Sequence, residues 1–321
     1  MLSPSRNLSS AVSSLRRVEY RELHQIAREM RRDILLTTFA ASSGHPGGSL
    51  SEIDILVALY NRVLCHYPKS PASPDRDRFI LSKGHATPGL YAVLAHQGYF
   101  PRKDLVNFRS LNTHLQGHAR RGTPGIEMSS GSLGQGLSFS LGVALAGRLD
   151  RRDYRTYVLL GDGECDEGQV WEAAMAAAHY KLDTLTAVVD RNHIQNDRFV
   201  SEVMEIEPLA AKWRAFGWHV IQTQGHSFPK LLRAFQRARQ IKGKPSVIIA
   251  QTIKGKGISF MENNPDFHGK APNQKELVRG LEELGYSGTS LVQEMRNFGL
   301  SDDIVSAVLE AASKSDMEVR R

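Results

Sequence analysis

Hydrophobic and polar positions along the chain switch repeatedly between two periods. Short apolar runs, partly β-branched, lie at 79–81, 157–160, 185–189, 219–222 and 246–251. Their length and lack of alternation predict strands of a parallel sheet buried on both faces. Between them, apolar residues recur at helical spacing. The segment 19–39 carries Leu23, Ile26, Ala27, Met30, Ile34 and Leu35 on one face, and 169–181 carries Val170, Ala173, Ala174, Ala177 and Ala178. Helices are also expected at 52–60, from about Thr87-Pro88 onward, and at 137–149, 209–216 and 230–241. Three shorter amphipathic helices are expected at 274–284, 291–298 and 302–313. Strands and helices in alternation predict an α/β fold, a parallel sheet with helices on both faces.

The stretch 157–194 is the most informative. Its first strand stops at Gly161-Asp162-Gly163, and the next stops at Asp190-Arg191-Asn192. This is a βαβ unit. It sets Asp162 and Asn192 at the carboxyl ends of two parallel strands, where open α/β sheets take their ligands. A carboxylate and an amide oxygen are hard donors that suit Mg²⁺ or Ca²⁺. Two side chains are too few to enclose such an ion, which commonly completes its shell with phosphate oxygens and water. The glycines leave backbone amides free beside a helix N-terminus for the same phosphates. The implied guest is a diphosphate bridged by a divalent metal.

Composition narrows the class. The 321 residues are 41% hydrophobic and 23% charged, ordinary for a soluble globular protein, with a net charge of +7. The basic residues are scattered without an aromatic stripe, so nucleic acid is not expected as a partner; an anionic cofactor and phosphorylated substrates would explain the excess, and so would a solvated surface. Cys65 and Cys165 lack metal-ligand spacing and suggest no disulfide framework, which makes a reducing cytoplasm the expected location, with Cys165 as a small packing residue. No apolar run is long enough to span a membrane. Residues 1–18 hold arginines and serines without acids, similar in composition to a transit peptide. A flexible N-terminal arm is expected there, then one domain over 19–272 and a helical extension over 273–321 in which no chemistry is legible.

Histidines recur in glycine-bounded loops at strand-to-helix junctions. They are His45 in Ser-Gly-His-Pro-Gly-Gly, His85 in Ser-Lys-Gly-His and His118 in Gly-His-Ala. The loop around His45 is expected to run over 42–49, with Ser49 or Ser51 capping the next helix. Several histidines converging on one pocket suit a hydroxyl-rich substrate and a reaction rich in proton transfers.

Taken together, SSGHPGG, SKGHATPGLY, GHA, GSLGQG, GDGECDEG, DRNHI and FHGK resemble the first domain of transketolases, in order over about 20–272. The GDG-to-Asn stretch itself resembles the thiamine diphosphate motif. The resemblance implies a thiamine diphosphate-binding fold of the diphosphate type. Asp162, Asn192 and the backbone carbonyl of Ile194 would hold Mg²⁺ (or Ca²⁺). Gly161, Gly163, Glu164, Asn192, His85, Lys254 and His268 would lie against the cofactor, and Gly131, Ser132 and Leu133 would face its aminopyrimidine. His45, His118 and His268 would act on the substrate, and Glu167 would sit at a subunit interface.

The same resemblance implies transfer of a two-carbon ketol unit from a ketose to an aldose, through a carbanion that thiamine diphosphate stabilises. It further implies a split enzyme. The pyrimidine-binding and C-terminal domains would come from a second transketolase subunit, in an α₂β₂ heterotetramer acting on sugars or sugar phosphates. Departures exist: Ala119 follows Gly-His where proline is usual, His193 replaces a small residue, and Gln224-Gly225-His226 stands where Asp-Gly-His is frequent. The alternatives are the α-subunit of a 2-oxo-acid dehydrogenase, a deoxyxylulose phosphate synthase relative and a non-catalytic regulatory subunit.

Overall fold

The computed structural model describes the backbone of residues 5–319 and, within it, the side chains of Val18 and of residues 20–312. Five parallel strands form the sheet. They are β1 (Arg78–Leu81), β2 (Thr156–Gly161), β3 (Leu185–Arg191), β4 (His219–Gln224) and β5 (Ser246–Gln251), in the order β1-β2-β3-β5-β4. The register pairs Gly161 with Asp190 and Asp190 with Ala250, so the strands end level with one another. Because the strands are parallel, everything that follows their carboxyl ends collects along one edge of the sheet.

The sheet is covered on both faces, as the unbroken apolar runs require. Successive side chains of β2 enter different cores. Tyr157 and Leu159 join the core beneath α1 (Ser5–Ala40), α2 (Pro46–Ala58) and α3 (Thr87–His96). Val158 and Leu160 join the core beneath α4 (Gln135–Leu149), α5 (Gly168–His179) and α6 (Leu209–Ala215). The basic helix α7 (Phe228–Gln240) lays Phe228, Leu231, Phe235 and Ala238 on the first face and turns its arginines outward.

Helix α2 departs from the expected boundary. Loop is expected through residue 49, yet the helix begins at Pro46, a first-turn position where a missing N–H costs nothing. His45 is its N-cap residue rather than the centre of a loop, and Ser49 and Ser51 lie inside the helix instead of capping it. Packing overrides the poor propensity of Gly47 and Gly48, since every residue of α2 is buried. A side chain on Gly47 would come 2.7 Å from the Phe267 carbonyl, so only glycine lets that loop rest on the helix. The serine hydroxyls donate back to the His45 carbonyl at 2.8 Å and the Gly48 carbonyl at 3.0 Å.

The C-terminal helices α8 (Gln274–Glu283), α9 (Gly288–Phe298) and α10 (Asp302–Val319) share the core of α1. Leu277, Leu281, Leu291, Met295 and Phe298 are buried in it, and Arg32 reaches Glu294 at 3.0 Å. They are a continuation of the domain, not a module beside it. The expectation of a flexible arm over 1–18 falls almost wholly on residues whose side chains lie outside those described; the backbone of α1 is helical from Ser5. Among the described residues no helix is long and apolar enough to cross a membrane.

Phe298 is fully buried between α9 and the rest of this core. Phe298→Ala should cost about 3–5 kcal/mol, seen as a lower urea midpoint of a single unfolding transition. A separate C-terminal transition with the main one unchanged would show that these helices fold by themselves.

Candidate functional site

A cavity of about 240 Å³ opens where the strands end, and the residues singled out from the sequence gather around it. His45, His85, His118 and His268 all line it, with His45 and His85 ring centres 5.1 Å apart, His85 and His268 5.1 Å, and His45 and His118 6.2 Å. Gly131, Leu133, Gly161, Asp162, Gly163, Glu164, Asn192, Ile194 and Lys254 complete most of the wall. Ser132 is exposed and does not line the cavity, and Glu167 is exposed on the outer side of the turn. Gly131 has φ +153° and a Cβ there would fall 2.9 Å from His118 Cδ2, so the two expected cofactor and substrate segments touch through a glycine.

Asp162 follows β2 and is 1% exposed. Its Oδ1 accepts from the Gly163 amide at 2.9 Å, and Oδ2 accepts from Arg191 Nη1 at 3.0 Å and the His193 amide at 2.5 Å. Burial and the nearby Asp190 carboxylate still push its pKa above the ordinary range, so its charge is under-compensated by the protein. Asn192 donates through Nδ2 to Asp190 Oδ2 at 3.1 Å and Ser51 Oγ at 3.3 Å. That fixes the amide with Oδ1 on the other side, where it accepts from the Ile194 amide at 3.1 Å. His193, at φ 68°, turns the chain so that the Ile194 carbonyl also faces the cavity, where Lys254 Nζ donates to it at 3.1 Å. One under-compensated carboxylate, one oriented amide oxygen and one carbonyl are hard donors and fit a divalent cation. Among the described residues no group of three or more His, Cys, Asp or Glu side chains is placed to hold a metal, so any ion here depends on this mixed donor set.

Glu164 does not offer its carboxylate to the cavity. It accepts from Ser82 Oγ, the Gly134 amide at 2.9 Å and the Gly161 amide at 2.9 Å, tying the ends of β1 and β2 to the segment before α4.

Sequence reasoning misses four residues central to the site: Lys83, Asp190, Glu52 and Ser51. Lys83 Nζ lies 2.6 Å from Asp190 Oδ2, 3.0 Å from the Gly48 carbonyl and 3.1 Å from Glu52 Oε2. Burial opposes the charge on Lys83, but Asp190 and Glu52 raise its pKa above the usual lysine value. Burial raises Glu52 to about 8, which leaves Asp190 as the stronger counter-charge to Lys83. The signal was present: a lysine and an aspartate directly bounding buried strands need a partner for each charge.

The histidines are held neutral. Burial, with Arg109 and His118 nearby, lowers His45 to about 4. Burial, with Lys254 and His45, lowers His268 to about 3, and His85 is also well below the usual value. Burial and Lys83 lower Lys254 to about 7. Its Nζ sits 2.6 Å from His268 Nδ1, and whenever Lys254 is protonated that nitrogen accepts and the ring proton rests on Nε2. His45 Nδ1 is buried and has no hydrogen-bond partner among the described residues.

A family model described as transketolase, thiamine diphosphate binding domain, matches residues 24–316, which takes in the C-terminal helices that the motifs did not reach. The chain is 46% identical over 246 residues to a 6-deoxy-6-sulfo-D-fructose transketolase subunit of a Clostridium species, covering 76% of this chain and 90% of that one. It is 41% identical over 269 residues to an apulose-4-phosphate transketolase subunit of Actinobacillus succinogenes, covering 83% and 97%. Human transketolase is 39% identical over 83% of this chain, which spans only 42% of that protein's length. Among solved structures, transketolase from Campylobacter jejuni superposes with a TM-score of 0.78 at 31% identity, over 92% of this chain and 47% of that one.

The depressed histidines fix a pH dependence. Unfolded, a histidine takes up a proton near 6.5; folded, His45 and His268 do so only near 4 and 3. The unfolded state therefore binds more protons as the pH falls below 6.5, and stability is lost progressively down to about 3. Urea midpoints of the full chain should drop between pH 7 and 5, and the His45→Asn/His268→Asn pair should flatten that drop. An unchanged slope would show that these rings titrate normally.

Proposed function

The chain belongs to the transketolase family, and on that premise we propose that it is the diphosphate-binding subunit of a two-subunit transketolase. It is a transketolase-type transferase subunit with a thiamine diphosphate-binding domain. It matches the named transketolase subunits over nearly their whole length and full-length transketolases over less than half of theirs. The observation that carries the reading is the convergence of His45, His85, His118 and His268 with Asp162, Asn192 and Ile194 on one cavity.

Asp162, Asn192 and the Ile194 carbonyl would hold Mg²⁺, with Gly161, Gly163, His85 and Lys254 beside the diphosphate. Bound there, thiamine diphosphate would supply the nucleophilic carbon and the electron sink for breaking a carbon–carbon bond. The chain's own residues bind, orient and move protons around it. His268, its Nε2–H fixed by Lys254, donates to the donor sugar's oxygen. His45 and His118, neutral at pH 7, hold hydroxyls as either donor or acceptor. The donor would be a ketose with a phosphate or a similar anionic group, given that the relatives are named for a sulfonated and a phosphorylated sugar.

The carboxylates of the cavity support a partner subunit. The lining carboxylates are Asp162, which is set for the metal, and Glu164, which is consumed by donors within this chain. A carboxylate to engage the aminopyrimidine would come from the partner's pyrimidine-binding domain. An α₂β₂ assembly is supported by the large apolar side chains left exposed on α4, on α5 and just after it, Phe139, Leu149, Met175 and Tyr180. Two free cysteines and no membrane-crossing helix among the described residues are compatible with a cytoplasmic enzyme.

The test is reconstitution. The full chain, a second polypeptide carrying the pyrimidine-binding domain, Mg²⁺ and thiamine diphosphate should together transfer two carbons from a ketose phosphate to an aldose. Neither polypeptide by itself should do so. Asp162→Asn should lower this activity by more than the roughly 10–100-fold typical of losing an outer-shell metal partner. Full turnover by this chain alone would overturn the split assignment, and an unaffected Asp162→Asn would overturn the metal site.

A further inference from the structure

Lys254 sits on the loop that follows β5, and that loop is gripped on both sides of it. The grip originates in one carboxylate, Asp54, on the far side of α2 from the cavity. Asp54 is buried and bonded at once to two side chains. Arg31 of α1 reaches it through Nη2 at 2.7 Å and Nη1 at 3.3 Å, and His226 reaches it through Nδ1 at 2.7 Å. Each of those side chains has a second contact. His226 Nε2 lies 2.9 Å from the Ile253 amide, and Arg31 Nε donates to the Lys256 carbonyl at 2.9 Å. The residues held, Ile253 and Lys256, flank Lys254 and Gly255.

The direction of each bond follows from chemistry. A backbone amide can only donate, so His226 Nε2 must be the unprotonated nitrogen. The ring proton is therefore on Nδ1 and is given to Asp54. Asp54 must be ionised to accept from three donors. Burial alone would favour its neutral form, but Arg31 and His226 hold it below the usual carboxylate range. The remaining fastenings point the same way. The Gly255 amide donates to the Gly47 carbonyl at 3.0 Å, and a side chain on Gly257 would come 2.8 Å from Arg31 Cδ.

We propose that His226 and Arg31, both anchored on Asp54, are positioning residues that set the 253–256 loop and thereby aim Lys254 at the diphosphate and at His268. The proposal deepens the function proposed above and rests on it for what Lys254 meets. The geometry of the loop itself does not depend on that reading. None of the three side chains lines the cavity, so their effect is transmitted through the backbone.

Two near-isosteric substitutions separate the two halves of the ring. Glutamine at 226 places an acceptor oxygen where Nε2 lies, and asparagine places a donor nitrogen where Nδ1 lies. His226→Gln keeps the grip on Ile253, whereas His226→Asn keeps only the bond to Asp54. In the full chain without ligand, hydrogen exchange at the Ile253 amide should be about tenfold faster or more in His226→Asn than in His226→Gln. In the reconstituted complex, the apparent KM for thiamine diphosphate should rise about 10–100-fold in His226→Asn, the scale of an outer-shell loss, and only a few-fold in His226→Gln. The sugar KM should stay put in both. Equal exchange rates, or equal cofactor KM in the two variants, would reduce His226 to packing and overturn the proposal. Should His226→Asn fail to fold, Arg31→Lys reads the other arm. It keeps the charge on Asp54 but lacks the Nε–H to Lys256, and a wild-type cofactor KM there would overturn the proposal equally. If the exchange difference appears while the wild-type complex shows no transfer, the functional reading fails and the loop grip stands.

Discussion

The structure hangs on one buried ion pair, Lys83 with Asp190, at 2.6 Å. Lys83 follows β1, Asp190 closes β3, and the strand between them, β2, carries Asp162. Neither charge reaches water: Asp190 is fully buried and Lys83 is 2% exposed. Such a pair is a weak source of net stability, because desolvation offsets most of the attraction. Breaking it is different, since removing one partner strands a buried charge at a cost of roughly 3–5 kcal/mol. The pair therefore specifies an arrangement more than it stabilises one. Asp190 also accepts from Ser51 at 2.5 Å, from Thr252 and from Asn192 at 3.1 Å, so one carboxylate ties its own strand end to α2 and to the ends of β1 and β5.

Charge balance in the cavity follows from this pair. Burial disfavours charge on Glu52, so Asp190 is the main counter-charge to Lys83. Lys83 is thus spent internally and lends little to a bound anion. The four histidines, all lowered by burial, contribute no positive charge either. What remains in the wall is the Lys254 amine, which gains and loses its proton near neutrality, and the under-compensated Asp162 carboxylate. A site so composed favours a guest that brings both a cation and an anion, each with its own place.

Much of this was legible beforehand because the relevant signals are local. Strands β2, β3 and β5 announced themselves as unbroken apolar runs, and the residues that end them became the site by topology alone. Glycine-bounded histidines marked the loops. The reading failed where packing outweighed local propensity. Gly47 and Gly48 look like a loop, but α2 is buried on all sides and the helix runs through them. Periodicity also says nothing about which charges will meet. Lys83 and Asp190 are 107 positions apart, and only the strand order makes them neighbours. Glu164 shows the converse. Its place after the turn suggested a cofactor contact, yet three donors from β1, β2 and the approach to α4 consume its carboxylate. The C-terminal helices lacked motifs, so nothing in their sequence could assign them to the core of α1.

Helix α2 explains why so much depends on a segment that reads as a loop. From His45 to Asp54 it offers a different contact at almost every step. His45 caps its start and edges the cavity. Gly47 gives its carbonyl to Gly255, and Gly48 gives its own to Lys83. Ser51 and Glu52 meet the central ion pair, while Asp54, on another face, holds Arg31 and His226. A helix that is polar at these positions cannot be solvated and buried at once, so its polar groups turn to protein partners, Glu52 through the ion pair with Lys83, and His45 Nδ1 is left without one. The partners available are Arg31 of α1 and the loops at the ends of β1, β3, β4 and β5. Burying α2 therefore forces those loops into place, and the site is a consequence of satisfying one helix.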